Sequence, residues 1–259
     1  MRRAALLPAL LLPALLAATP APAEPRADGV HERVSRILLA YGGWGRLAQV
    51  KAYRLEGELF SAMRHSSSPT TRVFARPDRF KSLIDYEGGV EARILDGTRG
   101  WRMVSGGPLQ EVEGPMLLAM GLQAARCGLP WILAERESSA RIIEPRAENG
   151  VKLPGLEVPL GEGLVLRVWT NPRTHLVEVS QGALRMPGAY TYFENFYSDF
   201  RDVDGVQFPF HEENFASGMQ TGVTDVKRVI VNPPLSPTEF RPPAPPDSAG
   251  ARPRDRSHG

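Results

Sequence analysis

Residues 197–213 read Tyr-Ser-Asp-Phe-Arg-Asp-Val-Asp-Gly-Val-Gln-Phe-Pro-Phe-His-Glu-Glu, and this stretch predicts a β-hairpin. Asp204 and Gly205 supply the turn, because glycine accepts a positive φ and aspartate tolerates one. Apolar side chains recur at nearly alternate positions on both sides of the turn: Tyr197, Phe200, Val203, Val206, Phe208 and Phe210. The hairpin therefore predicts an antiparallel sheet with one apolar face.

Strand patterns separated by turn signals recur along most of the chain. Residues 53–60 alternate Tyr53, Leu55, Gly57 and Leu59 with mainly charged neighbours, which predicts one apolar face. Further strands are predicted at 72–75, 79–86, 91–96, 101–105, 141–145, 151–159, 164–171, 175–181, 190–200, 206–215 and 221–232. Turn signals at intervals of roughly 8–12 residues favour an antiparallel sheet or barrel. Because strands and helices do not alternate, a parallel α/β fold is not expected.

Two segments predict helices. Residues 28–49 carry apolar residues at helical spacing and are interrupted by Gly42 and Gly43, so one helix and a short second turn are expected. Residues 113–134 form the other segment, in which 114–125 contain no charge and Pro115 suits a first helical turn. A helix that is apolar on most sides must be buried or cover an apolar surface. We expect this segment to act as a lid on the sheet.

The ends of the sequence differ in composition from its middle. Arg2 and Arg3, an uncharged run at 4–18 and Ala-Pro-Ala at 21–23 predict a cleaved signal peptide. The alternative, a membrane anchor, is less favoured because prolines interrupt a run that is already short for a span. No cysteine lies near the cleavage site, so no lipid anchor is expected there. The predicted organisation is a signal peptide at 1–23, one β domain at 24–241 and a disordered Pro/Arg-rich tail at 242–259.

Composition excludes several classes of function. The formal net charge is +2, and Arg2 and Arg3 account for it, so residues 24–259 are neutral and nucleic-acid binding is not expected. The single cysteine, Cys127, cannot form an intramolecular disulfide. Nucleophile elbows, phosphate loops and zinc motifs are absent from the sequence, and its five histidines are isolated. We therefore expect no catalytic residue, no metal and no cofactor.

Several stretches of the sequence resemble the LolA/LolB-like superfamily of periplasmic lipoprotein-sorting and lipid-carrier proteins. They are 37–60, the turn at 96–101 and the hairpin at 197–213, and residues 231–240 are similar to the family's ending. The resemblance implies a mainly β fold, an unclosed antiparallel β-barrel or strongly curved sheet. An N-terminal helix and a helical lid would cover its concave apolar face.

The same resemblance implies a function without catalysis. Family members carry lipid or acylated lipoprotein cargo through the periplasm, between inner-membrane donor and outer-membrane acceptor proteins. The family's cavity arginine matches no local motif here, although Arg72 and Arg54 occupy comparable early strands. We therefore expect an exported, monomeric carrier that binds no nucleic acid.

The expected acyl cavity and lid are formed by large apolar residues. Methionines suit such a cavity because their flexible side chains adapt to irregular ligands. The predicted set is Leu55, Leu59, Phe74, Trp101, Met103, Met116, Leu117, Met120, Trp131, Trp169 and Phe193. The alternative interpretation of these residues is an ordinary closed core, which every β domain needs.

Two other functions stay open at the level of sequence. A lipid-sensing regulatory module on the same fold would change its contact with a protein partner when lipid binds. A secreted hydrolase with an unrecognised site is the second alternative, and it requires a buried polar cluster on the concave face. The sequence motifs do not reveal such a cluster.

Overall fold

The computed structural model describes residues 29–186 and 189–242, so the predicted signal peptide at 1–23 and tail residues 243–259 lie outside the described residues. The described helices are α1 (Val30–Ala40), α2 (Trp44–Leu47), α3 (Gly114–Cys127) and α4 (Trp131–Glu135). The strands are β1 (Ala52–Ser61), β2 (Ser66–Ala75), β3 (Arg79–Tyr86), β4 (Gly89–Asp96), β5 (Arg99–Met103), β6 (Gln110–Val112), β7 (Arg141–Glu148), β8 (Val151–Gly161), β9 (Leu164–Thr170), β10 (Val177–Met186), β11 (Ala189–Val203), β12 (Val206–Ala216) and β13 (Met219–Val231). Among these helices, none has the length and apolarity needed to cross a membrane.

These thirteen strands form one antiparallel sheet in the order β6-β5-β4-β3-β2-β1-β13-β12-β11-β10-β9-β8-β7. Neighbours are consecutive along the chain except at the centre, where the first strand pairs with the last. Tyr53 lies opposite Val231 there, and Ser61 lies opposite Gly222. The outer strands β6 and β7 do not pair with each other, so the sheet is not closed. The predicted fold class, a mainly β unclosed antiparallel barrel, is confirmed.

The strand order determines where the long helix lies. The chain leaves β6 at one outer edge of the sheet and enters β7 at the opposite edge, so the connection between them must pass over a face. Helices α3 and α4 make this connection, and α3 contacts β3, β4 and β5 on one flank and β9 and β10 on the other. The apolar segment therefore crosses the concave face, as the sequence predicts.

Two glycines of the sheet allow α3 to approach closely. A Cβ at Gly182 of β10 would lie 2.1 Å from Leu122 Cδ2, and one at Gly100 of β5 would lie 2.8 Å from Leu117 Cδ1. Real Cβ atoms do not make such short contacts, so a larger residue at either position would force the facing leucine side chain of α3 to move. The helix thus packs into a shallow site on each flank of the sheet.

The main core lies between the concave face and the helices. Trp131 of α4 is 1% exposed, and its indole Nε1 donates a hydrogen bond to the Leu47 carbonyl at 2.8 Å. The same indole stacks on Tyr53 of β1, with ring centroids 6.3 Å apart. Smaller clusters cover other positions of the sheet: Ala52, Val73, Ala75, Ile94, Trp101 and Phe240 form one, and Leu153, Trp169 and Val179 form the other.

The hairpin at 197–213 has the predicted turn. Asp204 and Gly205 have φ values of +53° and +79°, and Asp202 Oδ1 accepts a hydrogen bond from the Gly205 amide at 3.0 Å. The end of α1 packs against this turn, since a Cβ at Gly42 would lie 2.0 Å from the Gly205 carbonyl oxygen. The Gln207 amide also donates to the Tyr41 carbonyl at 3.1 Å.

The structure differs from the predicted strands mainly at their ends. Strand β2 begins at Ser66, six residues before the predicted start, because pairing with β1 supports a run of serines and threonines that has no apolar alternation. Strand β6 was not predicted, since three residues are too few to show a period. Strand β7 continues past Pro145 through a register shift between Ile143 and Arg146, where a residue that cannot donate to the ladder is tolerated.

We predict that Trp131→Phe lowers the free energy of unfolding by about 1–3 kcal/mol, because it removes a buried hydrogen bond to the Leu47 carbonyl and leaves part of the indole's volume unfilled. The matched control is Trp44→Phe on α2, where the side chain is 46% exposed and the expected change is within about 0.5 kcal/mol. Urea unfolding at constant m-value measures both. Equal effects of the two substitutions would contradict the described packing of α4.

Candidate functional site

A cavity of about 740 Å³ lies between α3 and the concave face of the sheet. Its volume falls within the roughly 300–1,000 Å³ that small-molecule sites occupy. Strands β1–β4, β11, β12 and β13 supply most of its walls. Its apolar lining includes Leu55, Leu59, Met63, Ile84, Met116, Ala119, Met120, Leu129, Phe193, Phe208 and Phe215.

Helix α3 contributes one complete face to the cavity. Met116, Ala119, Met120, Gln123 and Arg126 line it, and each of them has another member of the set three residues away, as residues on one helical face do. Leu122 and Ala124 lie on the two sides of this face, each about 100° of helical rotation from its centre, and both are buried in the interior of the protein. The helix is therefore both a wall of the cavity and a part of the protein interior.

The cavity reaches the end of the sheet at which several hairpin turns meet. Ser61 pairs with both Ser66 and Gly222, so the β1–β2 turn and the beginning of β13 lie at the same end. Two methionines on these hairpins are exposed: Met63, which also lines the cavity, is 86% exposed, and Met219 is 71% exposed. We refer to Met63 and Met219 as the apolar rim. Tyr190 and Tyr192 of β11 are exposed as well, but they alternate with Phe193 of the cavity wall and therefore point to the other face of the sheet.

The structure brings together five of the eleven residues that the sequence assigned to the acyl cavity. They are Leu55, Leu59, Met116, Met120 and Phe193. Phe74 and Trp131 lie in the main core, and Leu117 packs against that core. Met103, at the end of β5, is partly buried and lies outside the cavity lining.

Trp101 and Trp169, which the sequence also assigned to the acyl cavity, do not line this cavity. On β5 it is Arg102 that lines the cavity, and successive side chains of a strand point to opposite faces, so Trp101 points away. Trp101 packs with Phe240, and Trp169 packs with Leu153 and Val179. The prediction rests on the size and apolarity of each residue and not on the face of the strand to which its side chain points. This explains why the predicted and the observed cavity residues differ.

A buried ion pair crosses the deeper part of the cavity. Arg72 Nη1 donates to Glu212 Oε1 at 3.1 Å, and Arg72 Nη2 lies 2.8 Å from Glu212 Oε2. Burial lowers the pKa of Arg72, but the Glu212 carboxylate outweighs this effect and the pKa is raised from its ordinary value. Strand parity could have revealed the pair, because Glu212 follows Phe208 and Phe210 at alternate positions of one strand face. Arg72 is also one of the two arginines suggested by the family resemblance.

Two protonated groups lie beside this ion pair. The Tyr53 hydroxyl donates to the Cys127 carbonyl at 2.9 Å. Burial raises the pKa of the Tyr53 phenol and the pKa of the Cys127 thiol, which keeps both neutral. A cysteine nucleophile acts as a thiolate, so a raised pKa opposes that chemistry.

The charged lining of the cavity is mainly positive. Among the described residues, it is formed by five arginines and two glutamates: Arg64, Arg72, Arg93, Arg102, Arg126, Glu91 and Glu212. Arg64 lies 3.0 Å from Glu91, close to the open end of the cavity. No histidine or aspartate is part of this lining, and the described residues contain no cluster of three or more potential metal ligands. Sequence reasoning missed the positive charge, since it expected an apolar concave face.

Comparison with solved structures identifies the architecture. A domain described as an outer membrane lipoprotein-sorting protein, from Vibrio parahaemolyticus, superposes with a TM-score of 0.53 at 13% identity, over 82% of this chain and 96% of its own. A LolA superfamily protein from Nitrosomonas europaea gives a TM-score of 0.54 at 10% identity, over 83% and 98% of the two chains. The chain has a LolA-like fold. The resemblance seen in the sequence is thereby confirmed at the level of the fold.

A third solved structure extends this comparison. A DUF1329 family protein from Desulfovibrio piger gives a TM-score of 0.51 at 13% identity, over 83% of this chain and 98% of its own. No protein-family model and no curated protein sequence matches the chain. At identities this low, the superpositions establish a shared fold and nothing about the cargo. Any inference about the cargo must therefore rest on the cavity.

We predict that Arg72→Met lowers the free energy of unfolding by about 3–5 kcal/mol, because it leaves the Glu212 carboxylate buried without its partner. The double variant Arg72→Met/Glu212→Leu should recover most of that loss, since neither charge then stays buried. The control cycle uses Arg64→Met and Glu91→Leu near the open end, where coupling of about 0–1 kcal/mol is expected. Urea unfolding of the four variants and the two doubles gives both coupling energies. Equal coupling in the two pairs would contradict the assigned burial.

Proposed function

We propose that the protein is an exported, periplasmic carrier that binds lipid, or the acyl chains of lipoproteins, and delivers them towards the outer membrane. The observation that carries this proposal is the cavity of about 740 Å³, with one apolar flank and an apolar rim at its open end. The signal pattern at 1–23 supports export, and the likeness to a lipoprotein-sorting domain supports the class of cargo. The proposed carrier domain spans 24–241 and acts as a monomer between donor and acceptor proteins.

The binding energy of this carrier would come from apolar burial. An acyl chain in the cavity would contact Leu55, Leu59, Phe193 and Phe208, and each Å² of apolar surface removed from water contributes about 25 cal/mol. Such contacts are non-directional, so chains of different length are accepted. The apolar rim would contact a membrane or an acylated partner during transfer, since its side chains are already exposed to solvent.

Access to the cavity would involve only part of α3. Gly114, Pro115 and Met116 at its start are exposed, whereas Leu122, Ala124 and Cys127 near its end are buried. Displacing the whole helix would expose that buried half, which opposes opening of the complete segment as a lid. The first turn of α3 together with the hairpin turns is therefore the proposed opening.

The buried polar cluster required by the hydrolase alternative exists around Arg72 and Glu212, but its chemistry favours binding. Glu212 is held by two contacts from Arg72, and the pKa of Cys127 is raised by burial. A nucleophile needs an adjacent base within hydrogen-bond reach. Among the described residues that line the cavity, Cys127 has no histidine beside it to serve as that base. We therefore propose a carrier without enzymatic activity.

The experiment that tests the proposal is native mass spectrometry of the protein purified from a bacterial periplasm, followed by lipid extraction. We expect a mass above that of the polypeptide, which denaturation converts to the bare polypeptide with release of a lipid or an acylated peptide. A bare polypeptide that also takes up no added fatty acid would overturn the carrier.

We predict that Leu59→Gln weakens binding of a fluorescent fatty acid by about tenfold, because a contact worth about 1.4 kcal/mol is lost from the apolar wall. The matched control is Leu39→Gln on α1, where the side chain is 74% exposed and outside the cavity. Fluorescence titration of the two variants measures the difference. Met120→Glu would also abolish uptake, but Met120 is part of the core, so Leu59 gives the cleaner comparison. Unchanged affinity of folded Leu59→Gln would rule out this wall as the acyl site.

A further inference from the structure

Three arginines converge on one flank of the cavity. Arg93 on β4 and Arg102 on β5 are directly opposite each other in the strand register, and both line the cavity. Arg126 lines it from α3, and its positive charge acts on Arg93. We refer to Arg93, Arg102 and Arg126 as the arginine triad.

Each of the two carboxylates that line the cavity forms an ion pair with an arginine outside the triad. Glu91 lies 3.0 Å from Arg64, and Glu212 lies 2.8 Å from Arg72. Among the described residues, no other carboxylate lines the cavity, so the triad has no hydrogen-bonded anionic partner there.

The polar contacts of the triad leave donor groups unused. Arg93 Nη1 donates to Gln123 Oε1 at 3.3 Å, which is a contact with a neutral group. Arg102 Nε and Arg126 Nη1 are buried without a hydrogen-bond acceptor. The Arg126 guanidinium lies 5.9 Å from the centre of the Phe193 ring, which is a weak substitute for an anion. Buried donors without acceptors are costly, and each such group in a folded protein calls for a physical reason.

Repulsion between the positive charges of the arginine triad also destabilises the folded protein. Like charges directly opposite each other on neighbouring strands destabilise a sheet. Burial, and then the guanidinium of Arg102, lowers the pKa of Arg93, and the charge of Glu91 offsets this only in part. Burial likewise lowers the pKa of Arg126, although the nearby Tyr197, Cys127 and Glu212 act in the opposite direction. Perturbed groups that gather in a cleft are typical of binding sites, where a ligand supplies the missing interaction.

We propose that the cargo is an anionic amphiphile whose phosphate group binds the arginine triad while its acyl chain lies on the apolar wall. The proposal rests on the carrier function and adds the chemical class of the cargo. Guanidinium groups match phosphate because their planar donors reach two oxygens at once. The apolar wall at Leu59, Phe193 and Phe208 borders the triad, so head group and chain fit the same cavity.

Three probe molecules distinguish the possible ligands, because one carries both an acyl chain and a phosphate group and each of the others carries only one of the two. Lysophosphatidic acid with a palmitoyl chain has both chain and phosphate, monopalmitoylglycerol has only the chain, and glycerol 3-phosphate has only the phosphate. Calorimetric titration should show lysophosphatidic acid binding at least about tenfold more tightly than either of the others. Raising the salt concentration should weaken this preference less than it weakens surface ion pairs, because buried charges are screened less.

We predict that Arg102→Gln weakens binding of lysophosphatidic acid by about tenfold and leaves monopalmitoylglycerol unchanged, since hydrogen bonds to charged groups are the strong ones. Without ligand, the urea midpoint of this variant should rise or stay constant, because a like-charge contact is removed. The matched control is Arg99→Gln on the same strand, where the side chain is exposed and paired with Glu111 outside the cavity. Arg93→Gln is a second variant with the same expected result.

Each alternative result has a separate meaning. Equal binding of lysophosphatidic acid and monopalmitoylglycerol would overturn the anionic cargo and leave the carrier standing. Glycerol 3-phosphate binding as tightly as lysophosphatidic acid would overturn the lipid source of the phosphate. Failure of both chain-bearing probes to bind would overturn the carrier itself. A lower urea midpoint for Arg102→Gln would assign the triad a structural role and overturn the proposal.

Discussion

The pairing of β1 with β13 is the constraint on which the rest of the structure depends. Because the first strand lies beside the last, the two halves of the sheet extend outward from the centre and end on opposite edges. The only link between those edges must cross a face, and α3 follows that path. The main core, the cavity and its rim all result from a helix that lies across a curved sheet.

Helix α3 divides the concave face into a closed region that is tightly packed and an open region that forms the cavity. On one side, Leu122 packs against Gly182 and the interior is closed. On the other side, the face is left open, and it combines apolar side chains with more arginines than carboxylates. Under the proposed function, this open region is where the protein accepts a lower stability in order to bind its cargo.

The sequence predicted the elements of the fold well, because its signals are local. The Asp204–Gly205 turn and the alternation in β1 can be recognised without any knowledge of the neighbouring strands. Strand β2 could not be predicted fully, since its polar first half is a strand only through its pairing with β1. The site was harder to predict, because residue type alone placed Trp101 in the cavity while strand parity places Arg102 there. The arginine triad depends on contacts between β4, β5 and α3, which the sequence does not display.

The central position of the last strand also has a consequence for the biogenesis of the domain. Until residues 219–231 are available, β1 and β12 both present unpaired inner edges, and neither half of the sheet has its central neighbour. Contacts between the two ends of a domain form late and slow folding, since a long loop must close first. A polypeptide with this topology cannot complete its sheet until the last strand has been synthesised.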